Sequence, residues 1–315
     1  MPAADFSAAR LIAVDWGTSR LRAWLLDGSG HALAEADSDQ GIGALSGGHE
    51  AVLGRLVSAW PKVPAIAAGM VGSRQGWREV PYVPCPADVS ALAARLARFS
   101  AGDGREIAIV PGIVAAAPER DGDVIRGEET QIIGLIEREP GFAGTVILPG
   151  THSKWARVEH GTVLDFQTYI SGELFALLAH QSFLRHSVAE GLADLSASPD
   201  FVLAVTRIVR DRLPFAGALF SVRTRQLLAN AAKDANLAYL SGLVIGCEIA
   251  AAQASGLLSP AGNVALVGSP SLTKAYSLAL GIAGAKATAF DGSALVLGGL
   301  THIARAIGWL KGNAA

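Results

Sequence analysis

Apolar runs separated by glycine-rich turns set the layout of this 315-residue chain. Leu11 to Val14, Leu21 to Leu26 and Ala32 to Asp37 read as short strands, the last two joined by the turn sequence Asp27-Gly28-Ser29-Gly30. From Glu50 to Trp60 the apolar residues Ala51, Val52, Leu53, Leu56, Val57 and Trp60 fall at helical spacing, and Ala65 to Ala68 reads as a further strand. The second half repeats that order, with strands near 145–148, 155–158 and 162–168 followed by helices at 172–184, 199–211, 219–229 and 236–254. Strand 264–267, helix 272–280, strand 285–289 and a last helix from Ser293 to about Leu310 complete the chain. Strands interleaved with helices predict an α/β fold with mixed sheets. The seam is expected between Pro140 and Thr145, where Pro-Gly-Phe-Ala-Gly breaks a helix, dividing the chain into lobes 1–142 and 143–315.

Both halves open on the same device. Asp15-Trp16-Gly17-Thr18-Ser19 and Pro149-Gly150-Thr151-His152-Ser153-Lys154 each sit between two extended segments. Laying Gly17 on Gly150 also lays Thr18 on Thr151, Ala23 on Ala156 and Gly28 on Gly161. A turn with Gly and Thr at its apex points N–H groups and a hydroxyl outward, which suits a phosphate chain. Either loop alone serves equally as an ordinary hairpin; the duplication favours phosphate.

Half the residues are apolar and 17% are charged, so the chain builds a folded core, and a net charge of −2 gives no sign of a nucleic-acid or membrane partner. The most apolar stretch, Leu237 to Ala252, carries Ser241 and Glu248 and reads as a buried helix. Cys85 and Cys247 are isolated, and the N-terminus lacks a basic leader, which together suggest a reduced, cytoplasmic setting.

Asp15 ends the first strand, where a carboxylate beside phosphates makes sense through a divalent cation, or alternatively as a cap of the turn. Arg126-Gly127-Glu128-Glu129 opens a helix; its acidic pair suits the helix dipole, and a carboxylate there could equally take a proton from an attacking hydroxyl. Lys154 is a candidate point charge for a terminal phosphate, and Gly268-Ser269 forms a strand-to-helix junction able to present backbone donors. The stretch from Gly69 to Tyr82 is rich in Gly, Arg and aromatics, as polar ligand loops are; Gly69, Ser73, Arg74 and Trp77 are its candidates.

These segments resemble the sugar kinase, heat-shock ATPase and actin superfamily. Within it, the motifs at 14–22, 68–77, 126–131 and 148–155 are similar to the 2-dehydro-3-deoxygalactonokinase family, along about residues 11–307. The resemblance implies a two-lobed actin-like ATPase (ribonuclease H-like) fold with the nucleotide in the interlobe cleft. It implies phosphorylation of 2-dehydro-3-deoxy-D-galactonate at C6 by ATP with Mg²⁺. Asp15, Gly17, Thr18 and Ser19 would form the first phosphate loop, Gly150, Thr151 and Ser153 the second, with Gly268 and Ser269 at the adenosine. Glu128 would stand where related kinases carry their catalytic Asp, with Glu129 as its rival. Arg74 is the first choice for the substrate carboxylate, followed by Arg20 and Arg22. Leu148-Pro149 stands where the wider superfamily has an Asp, leaving the metal without that second carboxylate. The gluconate epimer, another sugar acid, or an exopolyphosphatase-like hydrolysis are the alternative reactions, and a homodimer through the helical second lobe is compatible with the pattern.

Overall fold

The computed structural model describes residues 5–117, 120–191, 194–259 and 262–312. The first half runs β1 (Ala9–Trp16), β2 (Leu21–Asp27), β3 (Ala32–Ser38), α1 (His49–Leu56), β4 (Ala65–Gly69), β5 (Val83–Pro84), α2 (Val89–Ala93), β6 (Ala97–Ser100), β7 (Glu106–Ile109), β8 (Ile113–Ala117), β9 (Arg120–Ile125) and α3 (Glu128–Arg138). The second continues with β10 (Gly144–Leu148), β11 (Ser153–Glu159), β12 (Thr162–Tyr169), α4 (Ser171–His180), α5 (Pro199–Val209), α6 (Phe215–Ala229), α7 (Lys233–Ala254), β13 (Asn263–Val267), α8 (Pro270–Ile282), β14 (Ala287–Phe290) and α9 (Gly292–Ala306).

The expected elements are present, with several ends shifted (α4 stops at His180 rather than 184, α9 at Ala306 rather than about 310) and two further differences. Helix α1 stops at Leu56, short of the expected Trp60: Val57 turns the chain and Pro61 disfavours a helical residue before it. The strands from β5 to β8, too short to show a period, were not anticipated.

The chain's contacts fall into two units. One holds the residues up to Phe142, Glu159–Asp165 and the residues from Gly292 onward; the other holds Ala143–Val158 and Phe166–Asp291. In the first, the sheet order is β3-β2-β1-β4-β7-β6. In the second it is β12-β11-β10-β13-β14. Each sheet thus has an antiparallel hairpin (β1–β2, β10–β11) flanked on its first strand by a parallel partner (β4, β13), and that partner is followed by another parallel strand (β7, β14). The repeat seen in the two loops is therefore a repeat of sheet topology. Strands β1 and β10 are nearly all apolar and buried because both faces are covered.

The last helix belongs with the first unit, whereas the sequence pattern ran one lobe from 143 to 315. The reason is backbone contact with α3. A Cβ on Gly134 would stand 1.9 Å from the Leu295 carbonyl oxygen, and one on Gly299 1.9 Å from that of Thr130. The two helices touch through bare backbone, and Arg305 Nη1 donates to Glu137 Oε1 at 3.0 Å near their ends. The helix that carries Glu128 is thereby held from behind. In the second unit, α7 is the one described helix long and apolar enough to cross a membrane, and 78% of its apolar window is buried in the core.

Candidate active site

The first loop is a four-residue link, Gly17 to Arg20, between the paired residues Trp16 and Leu21. Gly17 N–H donates to the Arg20 carbonyl at 2.9 Å and closes the turn. Ile42 and Gly43 N–H groups donate to the Gly17 and Thr18 carbonyls at 3.0 and 2.9 Å, so a neighbouring segment ties down the acceptors while Thr18 and Ser19 remain exposed at the apex. Asp15 sits half-buried at the end of β1, its Oδ2 2.6 Å from Arg22 Nη2. Arg22 also donates to the Ser293 hydroxyl. One of the fallback arginines for the substrate carboxylate is thus engaged by Asp15.

A recess of about 190 Å³ brings together residues far apart in sequence: Asp15, Gly17, Gly69, Arg126, Glu128 and Gln131. Two glycines make the approach workable. Gly69 and Gly127 have φ of 95° and 108°, and a Cβ on Gly127 would lie 3.4 Å from Gly69 Cα, so side chains at either place would strain the backbone and crowd the recess.

The structure separates the two glutamates. Glu128 lines the recess, and its Oε2 accepts from the Arg126 N–H at 3.2 Å. Glu129 is 1% exposed and turned inward; its carboxyl oxygens accept from Gly127 N–H at 2.6 Å and from the Thr130 hydroxyl at 2.9 Å. Burial first, and then the neighbouring Glu128 charge, push its pKa up to about 8. Glu129 is therefore mostly protonated at neutral pH, and only Glu128 faces the recess.

The loop from Gly69 to Tyr82 divides differently from its composition. Gly69 lines the recess and Ser73 is buried close by, but Trp77 packs into the core against Trp16 and Phe99, with ring centroids 6.3 and 5.3 Å away. Arg74 is 82% exposed and 3.7 Å from Glu79; Arg20 is 71% exposed and 2.8 Å from Asp37. None of these three side chains is among those lining the recess. The residue that composition gave least reason to choose is Arg126, which does line it, because its position depends on the turn made by Gly127.

The second loop is one residue longer, Pro149 to Ser153, between the paired Leu148 and Lys154. Its apex is held from below. The Ser153 hydroxyl and the Trp155 indole N–H both donate to Glu248 Oε1 at 2.6 Å, and the Tyr276 hydroxyl donates to Glu248 Oε2 at 2.7 Å. Ser171 makes a further bond to the same carboxylate. Glu248 is 2% exposed, and burial raises its pKa while these four bonds oppose the rise. Ser153, grouped with the phosphate ligands by its sequence, thus turns its hydroxyl inward. Lys154 is 6% exposed and folds its ammonium back onto the His152 carbonyl at 2.7 Å.

At the same loop, a Cβ on Gly172 would lie 2.3 Å from the Gly150 carbonyl oxygen, so α4 begins in backbone contact with Gly150. Beside them lies an apolar cavity of about 130 Å³, lined by Gly150, Phe175, Val244, Ile245, Leu272 and Tyr276 among others. Gly268 runs alongside Pro149, a Cβ there standing 3.8 Å from its carbonyl oxygen, and Ser269 precedes the first turn of α8.

Residues 15–303 match the family model for 2-keto-3-deoxy-galactonokinase. A Rhizobium meliloti protein named "Probable 2-dehydro-3-deoxygalactonokinase" is 41% identical, over 96% of this chain and 98% of its own length. The 2-dehydro-3-deoxygalactonokinase of Escherichia coli is 34% identical, over 95% and 99%. A crystal structure from Sinorhizobium meliloti, described as that of a 2-dehydro-3-deoxygalactonokinase protein, superposes with a TM-score of 0.88 at 39% identity, covering 95% of this chain and 99% of that one. Loop repeat, duplicated sheet order and near full-length likeness agree: the chain belongs to the 2-keto-3-deoxy-galactonokinase family.

Proposed function

We propose that this enzyme transfers the γ-phosphoryl group of ATP to the C6 hydroxyl of 2-dehydro-3-deoxy-D-galactonate, giving ADP and the 6-phosphate in galactonate breakdown. Membership of the family supports the reaction. The observation that carries the mechanism is the position of Glu128: it lines the same recess as Asp15 and Gly17, while Glu129 is turned into the core.

The chemistry follows from that placement. The C6 hydroxyl oxygen bonds to the γ-phosphorus as the bond to the ADP oxygen breaks, and Glu128 orients the hydroxyl and accepts its proton. Positioning and charge neutralisation supply most of the acceleration. Thr18 and Ser19 at the first apex, and Gly150 and Thr151 at the second, are the proposed phosphate donors. Ser153 and Lys154 shape the second apex from beneath it. The apolar cavity beside Gly150 suits a purine, with Gly268 and Ser269 near the adenosine.

Mg²⁺ fits the donor set at the first loop. Asp15 is the one carboxylate there that would hold it, and because its Oδ2 pairs with Arg22 at 2.6 Å, a bound cation would share or displace that partner. A bound cation would neutralise phosphate charge, with Asp15 holding it. The inward turn of Glu129 supports a single acceptor base rather than the paired carboxylates of a phosphohydrolase.

A coupled ADP-release assay tests the assignment, run with Mg-ATP and the galactonate-derived keto acid, its gluconate epimer, neutral hexoses or no acceptor. ADP should form with the keto acid, and Glu128→Gln should lower kcat by at least about a thousandfold while ATP still binds. Near-normal turnover by that variant would remove Glu128 from the mechanism, and phosphate release without acceptor would replace the kinase by a hydrolase.

A further inference from the structure

A keto acid whose C6 hydroxyl lies at Glu128 still has to place a C1 carboxylate, and a desolvated carboxylate requires a cation or several donors. The arginines that composition favours are spent elsewhere. Arg74 and Arg20 point to solvent beside Glu79 and Asp37, and Arg22 is engaged by Asp15.

Arg126 differs from all three. It lines the recess that holds Glu128. Its guanidinium is fixed on two sides: Nη2 donates to the Val80 carbonyl at 2.7 Å, and the group stacks 4.3 Å from the Tyr82 ring. Its Nε and Nη1 are buried and find no acceptor among the described residues. The Ser73 hydroxyl is also buried without a partner, and it follows Gly72, where a Cβ would come within 2.8 Å of Arg126 Nη1. Two unanswered sets of donors therefore flank Gly72, behind the recess that Arg126 lines.

A guanidinium cannot relieve such a position by losing its proton. Buried donors on a charged group are costly to leave unmet, more so than on a neutral one. Val80 and Tyr82 prevent the side chain from swinging away to water. An arrangement of this kind is maintained at a cost that an anionic ligand would offset.

We propose that Arg126, with the Ser73 hydroxyl beside it, receives the C1 carboxylate of the acceptor and so selects sugar acids over neutral sugars; this rests on the kinase reading above. Gly127 then separates the two functions. The residue before it holds the acid end of the substrate, and the residue after it receives the proton from the hydroxyl end.

The test compares the keto acid with its C1 methyl ester, which keeps the carbon chain and removes the charge. In the wild-type enzyme the acid should be strongly preferred. Arg126→Gln should raise KM for the acid by roughly a hundredfold, as expected for removing one partner of a buried charge pair, with KM for ATP and for the ester each changed by less than about threefold. Arg126→Lys, which keeps the charge but loses the planar donors, should recover part of the acid preference, and it serves in place of the Gln variant if that one fails to fold. Equal losses for acid and ester, or a matching rise in KM for ATP, would show that Arg126 only supports the loop through Val80 and Tyr82, and would overturn the proposal. Absence of keto-acid-dependent ADP formation in the wild-type enzyme would instead sink the kinase reading. In that event calorimetric titration of the keto acid into wild-type and Arg126→Gln protein still decides the site: binding lost in the variant supports it, and equal binding overturns it.

Discussion

The two loops share a backbone plan and handle charge in opposite ways. The first keeps its carboxylate at the end of the leading strand: Asp15 is half-buried and met by Arg22, at the edge of a polar recess. The second has Leu148-Pro149 before its glycine and carries its carboxylate under the loop, where Glu248 gathers neutral donors from β11, α4 and α8. A carboxylate at the edge can meet a cation or a substrate. One sealed in the core holds a shape. The same turn thus carries a partly exposed carboxylate in one unit and a buried, fully bonded one in the other.

The largest expected effect breaks the second arrangement. Glu248→Ala leaves the Trp155 N–H and three hydroxyls without their acceptor in the core, at roughly 1 to 3 kcal/mol for each buried unmet group, so denaturant unfolding should show a loss on the order of 5 kcal/mol. Glu248→Gln keeps an oxygen for Ser153 and Trp155 and offers an amide to Tyr276, and should lose about 1 kcal/mol. Equal losses in the two variants would mean that Glu248 is simply filling space.

Asp15→Asn should behave in the opposite sense. It removes the charge proposed to hold the cation, so kcat should fall about a hundredfold, near 3 kcal/mol of barrier, while melting temperature changes little because the Arg22 pair is partly solvated. Full activity with unchanged Mg²⁺ dependence would end the distinction between the loops.

The effect confined to a pH window concerns Glu129, which shares the burial of Glu248 but lies beside a second carboxylate. Its pKa of about 8 in the folded protein lies above the ordinary 4.5, so between those values the native state holds a proton that the unfolded chain has lost. Stability should therefore fall as pH rises from about 4.5 to about 8 and level off above. Glu129→Gln cannot ionise, keeps an acceptor for Gly127 N–H, and should flatten that slope, so that its stability rises relative to wild type as pH climbs toward 8. An unchanged pH dependence of urea unfolding would refute the assignment.

Much of the local backbone of the candidate site was legible in the chain. Gly17-Thr18 and Gly150-Thr151 announce tight turns between strands, and Gly127 announces a break before the helix that starts at Glu128; these signals act within a few residues. Side-chain direction was not legible. Trp77 looks like a ligand aromatic and lies in the core, Arg74 looks like an anion partner and lies in solvent, and Ser153 looks like a phosphate ligand and bonds inward to Glu248. The choice between Glu128 and Glu129 also lay beyond the sequence, because adjacent residues at a helix start differ by about 100° of rotation and only the packing behind them decides which one is covered.

Taken by itself, the amino-acid sequence determined the alternation of strands and helices, the duplicated hairpin, the placing of a carboxylate after Gly127, and through those motifs the family. The first three follow from periodicity and turn chemistry, which are short-range; the family follows from the likeness of the motifs to known members. Tertiary structure alone decided that α9 returns to support α3 through Gly134 and Gly299, that Glu248 gathers donors from three other elements at the second loop, and that Arg126 shares a recess with Glu128 while Val80 and Tyr82 fix its guanidinium. Each of those depends on residues tens of positions apart being brought to hydrogen-bonding or van der Waals distance, and the range over which a sequence pattern speaks is far shorter than that.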